Sequence, residues 1–141
     1  MRLATTLSDY PRVLLVDDND GMLERAAAVL SQRFEIVGAV NDGWKALEAA
    51  GTLHPDIIVL DISMPGMGGL EVANRLKATG CKAAVVFLTI HDEEEIVRAA
   101  RDAGGVGYVL KPRLASELPL AAAEASAGRR FISADIADGT W

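Results

Sequence analysis

Three apolar, β-branched runs of this chain end in ionisable residues. Val13-Leu14-Leu15-Val16 stops at Asp17-Asp18, Ile57-Ile58-Val59-Leu60 at Asp61, and Tyr108-Val109-Leu110 at Lys111. If these runs are strands of one sheet, three carboxylates and one ammonium gather at a single edge. Two unit charges about 4 Å apart interact with about 4 kcal/mol at an effective dielectric near 20, so clustered carboxylates need a cation or protons to tolerate one another. Hard oxygen ligands suit Mg²⁺, which takes one or two carboxylates, keeps several waters and accepts phosphate oxygens. A carboxylate beside Mg²⁺ can also attack phosphorus and form an acyl phosphate. The added negative charge would be met by Mg²⁺, by the Lys111 ammonium, and by the hydroxyl of Thr89 at the end of a fourth apolar run.

The elements that must position these groups follow from the hydrophobic pattern. From Arg12 onward, β-branched runs alternate with stretches of helical period, the pattern of repeated βαβ units. Strands are expected at 13–17, 36–40, 57–61, 84–89 and 108–111. Such connections force parallel neighbours with right-handed crossovers, and ligands bind in the crevice outside the carboxyl ends of such strands. Apolar stripes at helical spacing mark Leu23, Ala26, Ala27 and Leu30, then Leu70, Ala73 and Leu76, then Ile96, Ala99, Ala100 and Ala103. The first helix is capped by Asp18 or Asn19. The brief second helix, 44–50, takes Asp42 as N-cap and Gly51 as its stop. Ser116 is the expected N-cap of the fifth, which puts Pro119 in the first turn, where a missing N–H costs nothing. Gly66, Gly68 and Gly69 read as a mobile loop after Asp61, and Gly104-Gly105-Val106-Gly107 as a turn into the last strand. The acidic run Asp92-Glu93-Glu94-Glu95 reads as a solvated helix start that favours the helix dipole.

Composition bounds the function. At 141 residues the chain is one domain by length, and 50% hydrophobic but only 5% aromatic content suits parallel strands covered by small-residue helices. A formal net charge of −6 opposes direct binding of nucleic acid or an anionic membrane by this segment. The single Cys81 forms no internal disulfide and reads as a small apolar neighbour before the fourth strand. The start lacks the apolar run of a signal peptide, and the longest apolar run, 83–88, is far too short to span a bilayer. The expectation is a soluble cytoplasmic protein.

Taken together, Val13-Leu14-Leu15-Val16-Asp17-Asp18, His54-Pro55-Asp56-Ile57-Ile58-Val59-Leu60-Asp61-Ile62-Ser63-Met64-Pro65 and Gly107-Tyr108-Val109-Leu110-Lys111-Pro112 resemble the CheY-like receiver domain of two-component response regulators, in the correct order. The resemblance covers about residues 12–128, leaving 1–11 as an N-terminal extension and 129–141 as a tail or the start of a linker to an output domain. It implies a flavodoxin-like, doubly wound (βα)5 sandwich of class α/β with a five-stranded parallel sheet in the order 2-1-3-4-5. It also implies Asp61 as phosphoacceptor, Asp18 as direct Mg²⁺ ligand, Asp17 as a mainly water-mediated one, and the Ser63 carbonyl as the remaining protein ligand. Thr89 and Lys111 would assist at the phosphoryl group. Thr89 and Tyr108 would form a switch pair in which the hydroxyl moves toward that group and the ring turns inward; Tyr108 also fits simple strand packing. Lys111-Pro112 matches the family's usually cis peptide.

Met64-Pro65-Gly66-Met67 and Gly104-Gly105-Val106-Gly107-Tyr108 resemble the NarL/FixJ receivers that precede LuxR-type helix-turn-helix domains. Gly68 and Gly105 depart from that group's usual Asp and Ala. The implied function is a phosphoacceptor, not an enzyme beyond Mg²⁺-dependent self-phosphorylation and autodephosphorylation. Its implied partners are a sensor histidine kinase and, on phosphorylation, a second copy. Two alternatives stand beside it: a receiver-like interaction module that works without phosphorylation, and a haloacid-dehalogenase-type phosphohydrolase, whose Asp-x-Asp-x-Thr pattern is not matched by Asp17-Asp18-Asn19-Asp20-Gly21. His91, two residues past Thr89, is expected to be an exposed loop residue, with a gate on access to Asp61 that tunes phosphoryl lifetime as the alternative.

Overall fold

A computed structural model of the chain describes residues 10–136 and Trp141. Its strands are β1 (Arg12–Val16), β2 (Glu35–Val40), β3 (Ile57–Leu60), β4 (Ala84–Thr89), β5 (Gly105–Leu110) and β6 (Phe131–Ile132). All pair in parallel in one sheet of order β2-β1-β3-β4-β5-β6. The helices are α1 (Asp20–Leu30), α2 (Gly43–Leu53), α3 (Gly69–Ala78), α4 (Glu94–Asp102) and α5 (Leu114–Ser126), the last entered through a 3-10 turn, Lys111–Arg113.

Alternate side chains of each strand serve opposite faces. Leu14, Val16, Ile58, Leu60, Phe87 and Tyr108 pack under α2, α3 and α4 with Ala46, Val72, Leu76, Val97 and Ala100. Val13, Leu15, Ile57, Val59, Val86, Leu88 and Val109 pack under α1 and α5 with Ala26, Leu30, Leu118, Ala121 and Ala122. The strands are therefore apolar on both faces, which is why they read as continuous hydrophobic runs, and small alanines let the helices lie close.

The α/β, flavodoxin-like expectation stands, but the sheet has six strands where five are expected. The segment read as a polar tail returns to the open edge of β5, pairing Phe131 with Gly107 and Ile132 with Tyr108. An uncovered edge leaves backbone groups unpaired, and here that edge is fastened by side chains. Buried Glu117 of α5 accepts hydrogen bonds from the Ser133 hydroxyl and from the Ala134 amide at 3.1 Å. Arg113 forks onto Asp135 at 3.0 and 2.9 Å, and Ile136 is buried.

Three local expectations are also corrected. α2 runs past Gly51 to Leu53 and ends at His54, which adopts a left-handed φ of 50°. Gly51 keeps an ordinary helical backbone while Ala50 and Leu53 pack inward, so the glycine does not act as a stop. α5 starts at Leu114, not at Ser116, because the 3-10 turn runs straight into it, and Pro119 sits inside the helix. The hydrogen bond lost at the proline is offset by the buried stripe Leu114, Leu118, Ala121, Ala122 and Ala125. β5 begins at Gly105: a Cβ there would stand 2.6 Å from the Phe87 ring, so this glycine lets the strand close on β4. The expected caps Asn19 and Asp42 do accept from Met22 N and Lys45 N, at 2.9 and 2.8 Å.

Candidate phosphoryl and metal site at the sheet's carboxyl edge

Parallel pairing carries the strand ends to one rim. Val16 pairs with Leu60, Leu60 with Phe87, and Thr89 with Leu110, so Asp17, Asp61, Thr89 and Lys111 emerge side by side. Asp61 is 3% exposed and Thr89 fully buried, while Asp18 faces solvent. Lys111 Nζ reaches Asp17 Oδ2 at 3.0 Å and Asp61 Oδ2 at 3.3 Å. Asp17 Oδ1 accepts from Asn19 N at 2.9 Å, so the N-cap residue of α1 also fixes the first carboxylate. Asp17, Asp18 and Asp61 each bring one carboxylate oxygen within 4.8 Å of the others.

One ammonium does not neutralise this group. Burial, followed by the Asp17 charge, pushes the Asp61 carboxyl above its ordinary range, against the opposing pull of Lys111. Burial disfavours the Lys111 ammonium, yet its close contact with Asp17 and the charges of Asp61 and Asp17 hold its pKa above the usual value. Asp17 Oδ2 is buried beside Lys111 without a well-aligned hydrogen bond. An excess of buried carboxylate and an oxygen short of a donor are what a hard divalent cation would satisfy, so the residues present fit a metal ion.

The loop after Asp61 is closely packed, where a mobile loop is expected. Met64 and Met67 are buried, Gly68 is the N-cap of α3 and Gly69 its first residue, and Gly69 N donates to Ile62 O at 2.8 Å. A Cβ on Gly69 would lie 1.9 Å from the Asp61 carbonyl oxygen, so the glycine is required by close approach of two backbones.

His91 is the residue that sequence reading underrates. Its amide donates to Thr89 Oγ1 at 3.2 Å, its carbonyl accepts from the Tyr108 hydroxyl at 2.8 Å, and its Nε2 lies 2.5 Å from Ser63 Oγ. Its Nδ1 is 3.6 Å from Glu93 Oε1. The signal was available in part: Ser63 and His91 each stand two residues beyond a rim residue on adjacent parallel strands, one residue out of register with each other. Tyr108 is fully buried, its ring 6.3 Å from Phe87 and 6.0 Å from Trp141. Burial and the charges of Glu93 and Asp92 push its hydroxyl pKa upward.

The expectation of a cis Lys111-Pro112 bond is not met. No peptide bond among the described residues is cis, and Pro112 lies within the 3-10 turn, in the isomer that X–Pro bonds ordinarily favour. A cavity of about 750 Å³ opens between α2 and α3 at the opposite, amino end of the strands, lined by Leu47, Ala50, Leu76 and Cys81. It is remote from the acidic rim, whose chemistry needs only a shallow mouth. No helix of the described residues is long and apolar enough to cross a membrane.

Residues 13–123 match the response regulator receiver domain family. Among curated relatives, the response regulator GacA of Pseudomonas viridiflava is 34% identical over 128 residues, covering 89% of this chain and 60% of the relative. The nitrate/nitrite response regulator protein NarL of Escherichia coli (strain K12) is 33% identical over 123 residues, covering 86% and 57%. The chain thus spans 57–60% of the length of these two relatives. Among solved structures, the signal receiver domain of the putative response regulator NarL from Mycobacterium tuberculosis superposes with a TM-score of 0.82 at 33% identity, covering 85% of this chain and 98% of that one. A LuxR-family two-component response regulator from an Aurantimonas species gives 0.86 at 30% identity, covering 90% and 92%. With an acidic rim on a five-helix parallel sheet and these relatives, the chain belongs to the response regulator receiver domains of two-component systems, in the NarL/LuxR group.

Proposed function

We propose that Asp61 is the phosphoacceptor of this receiver and that Mg²⁺ is held by Asp17, Asp18, Asp61 and the Ser63 backbone carbonyl. The observation that carries this reading is the buried Asp61 carboxylate, 3.3 Å from Lys111 Nζ, with oxygens of Asp17 and Asp18 within 4.8 Å. The Asp61 carboxylate attacks phosphorus of a phosphohistidine or a small phosphodonor; the new O–P bond forms as the bond to the donor breaks, and the leaving group departs with the electron pair. Lys111 neutralises part of the charge that arrives, and the Thr89 hydroxyl donates a hydrogen bond to a phosphoryl oxygen. Bound at the three carboxylates, Mg²⁺ would supply charge neutralisation to the same oxygens.

A sensor histidine kinase is the proposed donor, in the cytoplasm, and a phosphorylation-dependent homodimer the proposed readout, by population shift between two states. Direct contact with nucleic acid would belong to an output domain outside this segment, whose own charge is −6. Intact-protein mass spectrometry after incubation with acetyl phosphate, with and without Mg²⁺, tests the reading. One phosphoryl adduct is expected, dependent on Mg²⁺ and absent from Asp61→Ala. An adduct that persists in the variant, or none in the wild type while Mg²⁺ binding is also absent, refutes it and favours an interaction module that works without phosphorylation.

A further inference from the structure

Trp141 docks on the face formed by α4 and β5. Its indole stands edge-on to the Tyr108 ring, with centroids 6.0 Å apart and planes at 65°, and its Nε1 donates to the Val97 carbonyl of α4 at 3.2 Å. The side chain is half-buried against the cluster under α2, α3 and α4. Tyr108 is in turn bonded through its hydroxyl to His91 O, and His91 N to Thr89 Oγ1. A continuous chain of contacts, Thr89 to His91 to Tyr108 to Trp141, therefore runs from the acidic rim to the outer face. A buried tyrosine covered by an indole gains an edge-to-face contact and keeps its ring from water, so the docked indole holds Tyr108 where it is.

We propose that Trp141 is an intramolecular occupant of the α4–β5 face, coupled to the Asp61 site so that loading Asp61 releases it. The inference rests on Asp61 being the phosphoacceptor. A hydroxyl has one donor and two acceptor lone pairs, so Thr89 can donate into the site while still accepting from His91 N. Thr89 moving toward Asp61 draws His91 with it, and Tyr108 follows through its bond to the His91 carbonyl. The second anchor of the indole, Val97 O, belongs to α4 and is not bonded into that chain. The two anchors of Trp141 then separate, and the face it covers becomes free for a second copy or another partner. Coupling of this kind is reciprocal: what releases Trp141 must bind more tightly when Trp141 is gone.

Trp44 is the other tryptophan of the chain; it lies on α2, is 62% exposed, and stacks with the Arg75 guanidinium of α3. In a Trp44→Phe background, Trp141 alone reports. The probe is beryllofluoride with Mg²⁺, its binding followed separately by fluorine NMR. The expected result is a red shift of Trp141 emission and increased acrylamide quenching that saturate together with probe binding and are absent in Asp61→Ala. Tyr108→Phe, which keeps the ring but loses the bond to His91, should bind the probe with the emission change reduced by half or more. Trp141→Ala should bind it about fivefold more tightly or better. Probe binding with Trp141 emission and quenching unchanged, or equal affinity in Trp141→Ala, overturns the coupling while leaving the phosphoacceptor reading intact. Failure of the probe to bind at all overturns both.

Discussion

Asp61→Asn isolates the cost of keeping a charge at the rim. The carboxylate is 3% exposed, and the nearby Asp17 oxygen lies at most 4.8 Å away. At an effective dielectric near 20 that repulsion is about 3.5 kcal/mol, against about 5 kcal/mol of attraction to Lys111 at 3.3 Å. Asp18 is exposed, so the water around it cuts its repulsion to about 1 kcal/mol at 4.8 Å, which narrows the balance further. The pair balance favours the charge by roughly 1.5 kcal/mol, less than the several kcal/mol that burying an ion costs after relaxation. This ordering agrees with the upward pKa of Asp61, for which burial is the leading cause. Replacing the carboxylate by its neutral isostere should therefore raise stability in chelator by about 1–3 kcal/mol, the remainder once the amide's imperfect hydrogen bonding is subtracted. Urea unfolding in EDTA and in saturating Mg²⁺ measures it. Wild type should gain about 2.7 kcal/mol from Mg²⁺ at a hundredfold excess over its dissociation constant, and the variant much less. A variant less stable than wild type in EDTA would show that Lys111 more than compensates the burial, and the electrostatic account of the rim would be wrong.

Two further outcomes follow from the same geometry. Because the Asp61 pKa is raised in the folded state, its contribution to stability is fully present below the ordinary carboxylate value and is lost as pH rises through the elevated one. In metal-free buffer the urea stability of wild type should thus fall across that window relative to Asp61→Asn, and parallel curves for the two proteins would contradict the assignment. Gly69→Ala should cost about 1–3 kcal/mol or more in urea unfolding and weaken Mg²⁺ binding, since its Cβ would sit 1.9 Å from the Asp61 carbonyl oxygen; unchanged Mg²⁺ affinity would mean that the loop yields without moving Asp61.

The rim was legible because each of its members ends an apolar run, and parallel strands of similar register align such ends. The sandwich was legible for the same reason, as the alternation of β-branched runs with alanine-rich stripes repeats along the chain. What escaped the sequence depends on contacts distant in the chain. Phe131 and Ile132 form a strand only because β5 offers an edge and Glu117 offers oxygens to Ser133 and Ala134. Gly105 reads as turn chemistry until the Phe87 ring is known to occupy the space of its missing Cβ. Ser116 and Pro119 describe a plausible helix start, but the packing of Leu114 overrides it. His91 carries three hydrogen bonds through its backbone and ring that no local pattern displays.

The four residues of β3 are all buried, with Ile57 and Val59 serving one core and Ile58 and Leu60 the other. The strand therefore has no polar side to mark its register, and the two cores lock it by side-chain size alone. Since each strand residue advances the chain by about 3.3 Å and alternates its face, one residue inserted into β3 would move the terminal acid by the whole length of its ion pair with Lys111 and exchange the two cores. The hydrophobic interior acts as a ruler for the chemistry at its edge: it measures out where the carboxylate stands, and its length is as much a part of the site as the carboxylate is.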